Sequence, residues 1–182
     1  VSMQKSFTND ADFLKSLDMV SVVKGFDKFN IPRVAQLSQR SNQFNLRTAR
    51  YTDAEIFAIE KNDNYVTFSF TLKDKFGDNG LICVIILNKK NTETLFVDTW
   101  FMSCRVLKRG MENFALNTIV EWAKINGFKK IVGEYLPTAK NAMVEQHYPN
   151  LGFTKIEGGE TMQYVLDVNS YKPFECYIKR II

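Results

Sequence analysis

An apolar run feeding straight into a helix across a basic turn is a place where an anion can be held. Residues 94–104 are such a run, and Arg105-Val-Leu-Lys-Arg-Gly110 follows it. Met111, Phe114, Ala115, Thr118, Ile119, Trp122 and Ala123 then recur at helical spacing, with Gly127 placed to stop the helix. The first amides of that helix lack partners and its dipole favours negative charge there, while Arg105, Lys108 and Arg109 add cations. Chemistry on a phosphate-bearing ligand is the expectation. Residues 129–135 make a second short strand, and strand, helix, strand without a hairpin turn predicts a parallel pair. Asp98 and Glu134 lie one on each of these strands. Partial burial would raise either carboxyl toward neutrality and make it a general base, and an exposed place at a strand end fits them equally well. His147, the only histidine, is read as a surface residue that points away from its neighbour Tyr148.

Arg105-x-x-Lys108-x-Gly110 resembles the pyrophosphate loop of the GCN5-related N-acetyltransferase superfamily, Gln/Arg-x-x-Gly-x-Gly/Ala, with Lys108 where the pattern has its first glycine. Asn141, Tyr148 and Gly152-Phe153 resemble that superfamily's next element, an asparagine, a tyrosine seven residues on, then Gly-Phe. The resemblance implies an α/β (α+β) acyl-CoA N-acyltransferase fold: a mixed, mostly antiparallel sheet with a central parallel pair, flanked by helices. It implies coenzyme A, acyl-CoA or a carrier protein's phosphopantetheine as cofactor, lying against Met102, Cys104, Arg105, Lys108, Arg109, Gly110, Met111 and Asn141. The thioester would lie between the splayed strand ends, with Tyr148 protonating the departing thiolate. Asn141 and Tyr148, near two helical turns apart, are expected to share a helix face. Cys104 would lie near the cofactor sulfur and is able to take an acyl group, although burial as a small apolar residue is its more ordinary role.

Three longer strings are similar to the C-terminal part of FkbH-type proteins: Arg33-Val-Ala-Gln-Leu-Ser-Gln-Arg-Ser-Asn-Gln-Phe-Asn-Leu-Arg-Thr-Ala-Arg-Tyr-Thr52, Leu72-Lys-Asp-Lys-Phe-Gly-Asp-Asn-Gly-Leu81 and Met102-Ser-Cys-Arg-Val-Leu-Lys-Arg-Gly110. That family joins a haloacid-dehalogenase-like (HAD-type) phosphatase half to an acetyltransferase-like half, and its polyketide members serve methoxymalonyl-carrier-protein biosynthesis. The resemblance implies an acyl carrier protein and a phosphatase-like domain as partners, the latter outside these 182 residues. An acyltransferase and a non-catalytic module that recognises the carrier arm both remain open.

The other elements must position these groups. Residues 1–18 read as a linker and short helix, capped by Asn9 or Asp10, and residues 19–182 as one domain, beginning with a strand at 19–23. Pro32 opens a helix running toward Phe44, and Arg33, Arg40 and Arg47 would form a basic stripe on it if it extends far enough. Thr52-Asp-Ala-Glu55 is a capping-box pattern for a helix over 53–60. Val66, Phe68, Phe70 and Leu72 alternate with polar residues, and a turn at 76–80 returns the chain as an apolar strand at 81–87. Segments 161–168 and 174–182 are expected to close the sheet as an antiparallel pair. A net charge of +4 without interleaved surface aromatics argues against nucleic acid, and no apolar run approaches the ~20 residues that span a bilayer. Cys83, Cys104 and Cys176 are odd in number and widely separated, which fits free thiols in a cytoplasmic protein and neither a disulfide framework nor a metal site.

Overall fold

The computed structural model describes residues 10–181. Eight strands form one sheet: β1 (Met19–Lys24), β2 (Tyr65–Asp74), β3 (Gly77–Lys89), β4 (Thr94–Met102), β5 (Lys130–Tyr135), β6 (Thr154–Lys155), β7 (Met162–Asp167) and β8 (Ile178–Ile181), in the order β6-β7-β5-β4-β3-β2-β1-β8. β4 and β5 are the expected central parallel pair, β1 and β8 are also parallel, and the other neighbours are antiparallel. The helices are α1 (Asp10–Ser16), α2 (Ile31–Arg40), α3 (Asp53–Lys61), α4 (Met111–Ile125) and α5 (His147–Asn150).

Each face of the sheet has its own core, and alternation along the strands sorts side chains between them. Phe68, Phe70 and Leu72 of β2 and Cys83, Ile85 and Leu87 of β3 meet Phe114, Ala115 and Ile119 of α4 on one face. Val84 and Ile86 of β3 meet Val34 and Ala35 of α2 and Ile56 of α3 on the other. Apolar residues on both sides of β3 are therefore used, which is why that strand reads as an unbroken apolar run.

Local signals behave as their chemistry dictates. Thr52 Oγ1 accepts from Glu55 N at 3.2 Å and Glu55 Oε1 accepts from Thr52 N at 3.0 Å, which completes the capping box of α3. Gly127, at φ 82°, lies just past the end of α4. The β2–β3 turn is tighter than expected, since Asp74 already pairs with Gly77.

Two expectations need correcting. α2 ends at Arg40, so Arg47 does not continue a basic stripe but leaves in a different element. The last two strands do not pair with each other: β7 joins β5 and β6, while β8 lies beside β1 at the far edge. Asn117 of α4 guides this crossing, its Nδ2 donating to Phe174 O at 2.9 Å while its Oδ1 accepts from Phe174 N at 2.9 Å and from the Tyr171 hydroxyl.

Candidate functional site: a strand split and its occupant

A bulge opens the middle of the sheet. Pairing of β3 with β4 passes from Ile86↔Thr99 to Leu87↔Val97, leaving Asp98 as the extra residue. Parallel pairing of β4 with β5 stops at Phe96↔Val132, just before it. Beyond that point the facing edges of the two strands have separated.

Residues 44–47 fill the gap. Met102 N donates to Phe44 O at 3.0 Å, Leu46 N donates to Trp100 O at 3.2 Å, and Leu136 N donates to Leu46 O at 2.9 Å. The segment is a short strap that pairs antiparallel with β4 through Asn45↔Phe101 and bridges to the end of β5. Phe44, Asn45 and Leu46 are buried. Asn141, itself fully buried, latches the strap: its Nδ2 donates to Asn45 O at 2.9 Å and Leu136 O at 3.0 Å, and its Oδ1 accepts from Thr138 N at 2.8 Å. Its amide is thus engaged by main chain, in place of the cofactor contact implied by the resemblance.

Arg47 ends the strap inside the split, with its guanidinium 5.0 Å from the Phe96 ring centroid. Its Nε donates to Glu134 Oε1 at 2.8 Å and its Nη1 to Asp98 O at 2.7 Å, with Asp98 Oδ1 at 3.6 Å. Thr161 Oγ1 and Gln163 Nε2 donate to Glu134 Oε2 at 2.6 and 3.0 Å, while Tyr51 and Thr99 hydroxyls donate to Asp98 Oδ2 at 2.6 and 2.8 Å. The expectation of a carboxyl raised toward neutrality fails at Glu134. Burial pushes its pKa up, but the bonds from Thr161, Gln163 and Arg47 outweigh that and hold it below the usual carboxylate range. Glu134 and Asp98 are ion-pair acceptors in this arrangement, and Arg47, Tyr51, Thr161 and Gln163 are partners that sequence reasoning missed. The spacing of Phe44, Asn45, Leu46 and Arg47, apolar alternating with polar, was the available signal for the strap.

Tyr148 lies on the α4 side of the split. It does not share a helix face with Asn141, because a 3-10 turn at Ala142–Val144 and the separate α5 replace the single helix expected there. Its ring covers Gly133 of β5 and packs on Phe153 at 4.9 Å between centroids. His147 is buried, not exposed, with its ring 4.4 Å from that of Trp100 and 5.2 Å from that of Phe44. Tyr148 Oη, His147 Nε2 and Trp100 Nε1 find no hydrogen-bond partner among the described residues. Burial drives the Tyr148 pKa far up and the His147 pKa down to about 3.

The histidine shift has a measurable consequence. An unfolded histidine takes up a proton as pH falls below about 6.5, whereas buried His147 stays neutral until about pH 3. The unfolded state therefore binds more protons across that window, so stability is lost on acidification. Going from about pH 7 to pH 5 should lower unfolding free energy by up to about 2 kcal/mol, and the His147→Leu variant should lack that component, as urea midpoints will report.

The basic turn is partly as expected. Lys108, at φ 65°, adopts the left-handed conformation that suits the glycine of the resembled loop, and Gly110 does so at φ 83°. No side chain caps the first turn of α4. Arg105 and Arg109, however, line a pocket of about 260 Å³ with Asp74 and Asp78 of the β2–β3 hairpin, so carboxylates share their field. Buried Met111 starts α4, and Met102 is buried with its amide committed to the strap. Cys104 is exposed rather than buried and lines a pocket of about 550 Å³ with Arg40, Gln43, Phe44 and Lys140. Among the described residues no cluster suits a metal ion, and no helix is long and apolar enough to cross a membrane.

No family model and no curated protein matches the sequence. Solved structures do match. The GNAT domain of S. lividans PAT is similar at 16% identity over 80% of this chain and 89% of that one, with a TM-score of 0.61. The ribosomal-protein-S18-alanine N-acetyltransferase of Escherichia coli is similar at 14% identity, over 80% and 91%, with a TM-score of 0.57. YncA from Salmonella typhimurium, solved with its cofactor acetyl-CoA, is similar at 15% identity, over 87% and 99%, with a TM-score of 0.56. The fold is that of the GNAT acetyltransferases.

Proposed function

We propose that this chain is an acyltransferase-fold domain that binds the phosphopantetheine arm of acyl-CoA, or of an acyl carrier protein, along the split between β4 and β5. The split itself carries this reading. Its edges present Trp100 O, Met102 N and Leu136 N, here paired with residues 44–47, at a strand spacing that suits an extended chain bearing amides, as pantetheine does. Lys108, Gly110 and the uncapped first turn of α4 follow β4, where a diphosphate would meet main-chain amides and a cation. A structure of the same fold holds acetyl-CoA. On the three strings quoted above, we place the chain as the C-terminal part of an FkbH-type protein, with an acyl carrier protein as donor of the arm and a HAD-type phosphatase domain as neighbour. A cytoplasmic setting suits cysteines that are unpaired among the described residues.

A specific observation favours the second reading, a module that recognises the arm without turning over its cargo. Glu134 and Asp98 are occupied by Arg47, Tyr51, Thr99, Thr161 and Gln163, so neither is free to serve as a base. Calorimetry with coenzyme A, together with thiol release from acetyl-CoA in the presence of an amine acceptor, separates the readings. Saturable binding is expected. Tyr148→Phe removes a hydroxyl without a partner and should leave stability unchanged or higher. A fall of about a hundredfold in thiol release in that variant marks a catalytic acid. Binding without thiol release marks the module, and absence of binding overturns both.

A further inference from the structure

We propose that residues 44–47 are a resident stand-in for the arm, so that ligand binding and strap displacement are alternatives at one site. This rests on the reading of the split given above and adds its regulation. The strap uses the edge atoms an arm would use: Phe44 O on Met102 N, Leu46 N on Trp100 O and Leu46 O on Leu136 N. Its inward side chains, Phe44 and Leu46, are hydrocarbon and give nothing to the polar atoms behind them. His147 Nε2, Tyr148 Oη and Trp100 Nε1 are left without partners among the described residues, with His147 against Phe44 and Tyr148 within the field of Arg47 and Glu134. A ligand carrying amides and a thioester carbonyl supplies the hydrogen-bonding groups that the strap withholds.

Phe44 also separates two cavities. One, of about 550 Å³, reaches Arg40, Cys104 and Lys140; the other, of about 210 Å³, reaches Glu112 and Asn113 at the start of α4 and His147 of α5. Withdrawal of the strap joins them into a channel through the split. Stored cost lies just past the strap: Thr48 holds φ 55°, a conformation that disfavours a β-branched side chain, and its Oγ1 is buried without a partner among the described residues. Against this stand the Arg47 bonds to Glu134 and Asp98 and the Asn141 latch, which keep the closed state in place.

An arm that binds only the open state has its apparent affinity reduced by the fraction of molecules that are open, so loosening the lock tightens binding. Coenzyme A titrated calorimetrically into the whole chain tests this with two variants. Arg47→Gln should bind coenzyme A at least about tenfold more tightly than the native chain. The double variant Asn45→Cys/Phe101→Cys places a disulfide across the antiparallel pair that ties the strap to β4; oxidised, it should not bind coenzyme A, and reduced, it should. Equal affinity in the native chain, Arg47→Gln and the oxidised double variant overturns the strap while leaving the coenzyme A site standing. No binding by Arg47→Gln or by the reduced double variant, each shown to be folded by circular dichroism, overturns the site itself and the strap with it.

Discussion

Gly133→Ala is expected to destabilise the fold by at least about 3 kcal/mol, at the upper end of what overpacking costs. A Cβ at this position would lie 2.3 Å from Tyr148 Cζ and 2.4 Å from its Cε1, far inside the ~3.5 Å at which carbon atoms attract. Tyr148 is fully buried and has no slack to yield: its ring is 4.9 Å from Phe153, 5.8 Å from Tyr164 and 6.2 Å from Trp100 between centroids. Shortening the opposing side chain should remove the clash. In a Tyr148→Leu background the same Gly133→Ala change should cost less than about 1 kcal/mol, a favourable coupling of about 2 kcal/mol in a double-mutant cycle followed by urea unfolding. A Gly133→Ala variant as stable as the native chain would show that the Tyr148 ring does not lie over β5.

Arg47→Ala should cost about 3 kcal/mol, because it leaves a buried carboxylate without its cation and frees the Asp98 carbonyl. The loss is not larger because Glu134 keeps Thr161 and Gln163, and Asp98 keeps Tyr51 and Thr99. Neutralising the partner should recover part of it, so Arg47→Ala/Glu134→Gln is expected to be more stable than Arg47→Ala alone. The pH dependence has a defined sign. Glu134 has its carboxyl lowered in the folded state, so its contribution is present above the ordinary value of 4.5 and is lost as pH falls through the folded value. The gap between native chain and Arg47→Ala should therefore narrow as pH drops below about 4.5, and a constant gap down to about pH 3 would contradict the ion pair.

Much of this fold is legible in local chemistry. The Thr52–Glu55 capping box, the alternation of Val66, Phe68, Phe70 and Leu72, and the stripe of α4 each depend on residues close in sequence, and each forms as read. What local pattern does not contain is the partner of a strand. The final segment is strand-like as expected, yet it crosses α4 along Asn117 to pair with β1, a choice made by contacts remote in sequence. The strap is the same problem in its sharpest form. Phe44-Asn45-Leu46-Arg47 is too short to stand out as a strand, lies among Ser, Asn and Gln residues that suggest a loop, and takes its hydrogen bonds from Trp100, Met102 and Leu136. The carboxylates illustrate what spacing leaves out. Asp98 and Glu134 do flank the split, but an arginine from another part of the chain, invisible to spacing arguments, holds them as an ion pair.

A sheet split between β4 and β5 whose inner edges are already paired by the strap is central to the proposed coenzyme A site. Amide hydrogen exchange at Leu46, Met102 and Leu136 in the ligand-free chain tests it most directly. The account predicts protection at these three amides comparable to that of the β3–β4 ladder, followed by loss of protection at Leu46 when coenzyme A saturates the chain. Exchange of Leu46 and Met102 at the rate of an exposed loop, with no ligand present, would contradict it.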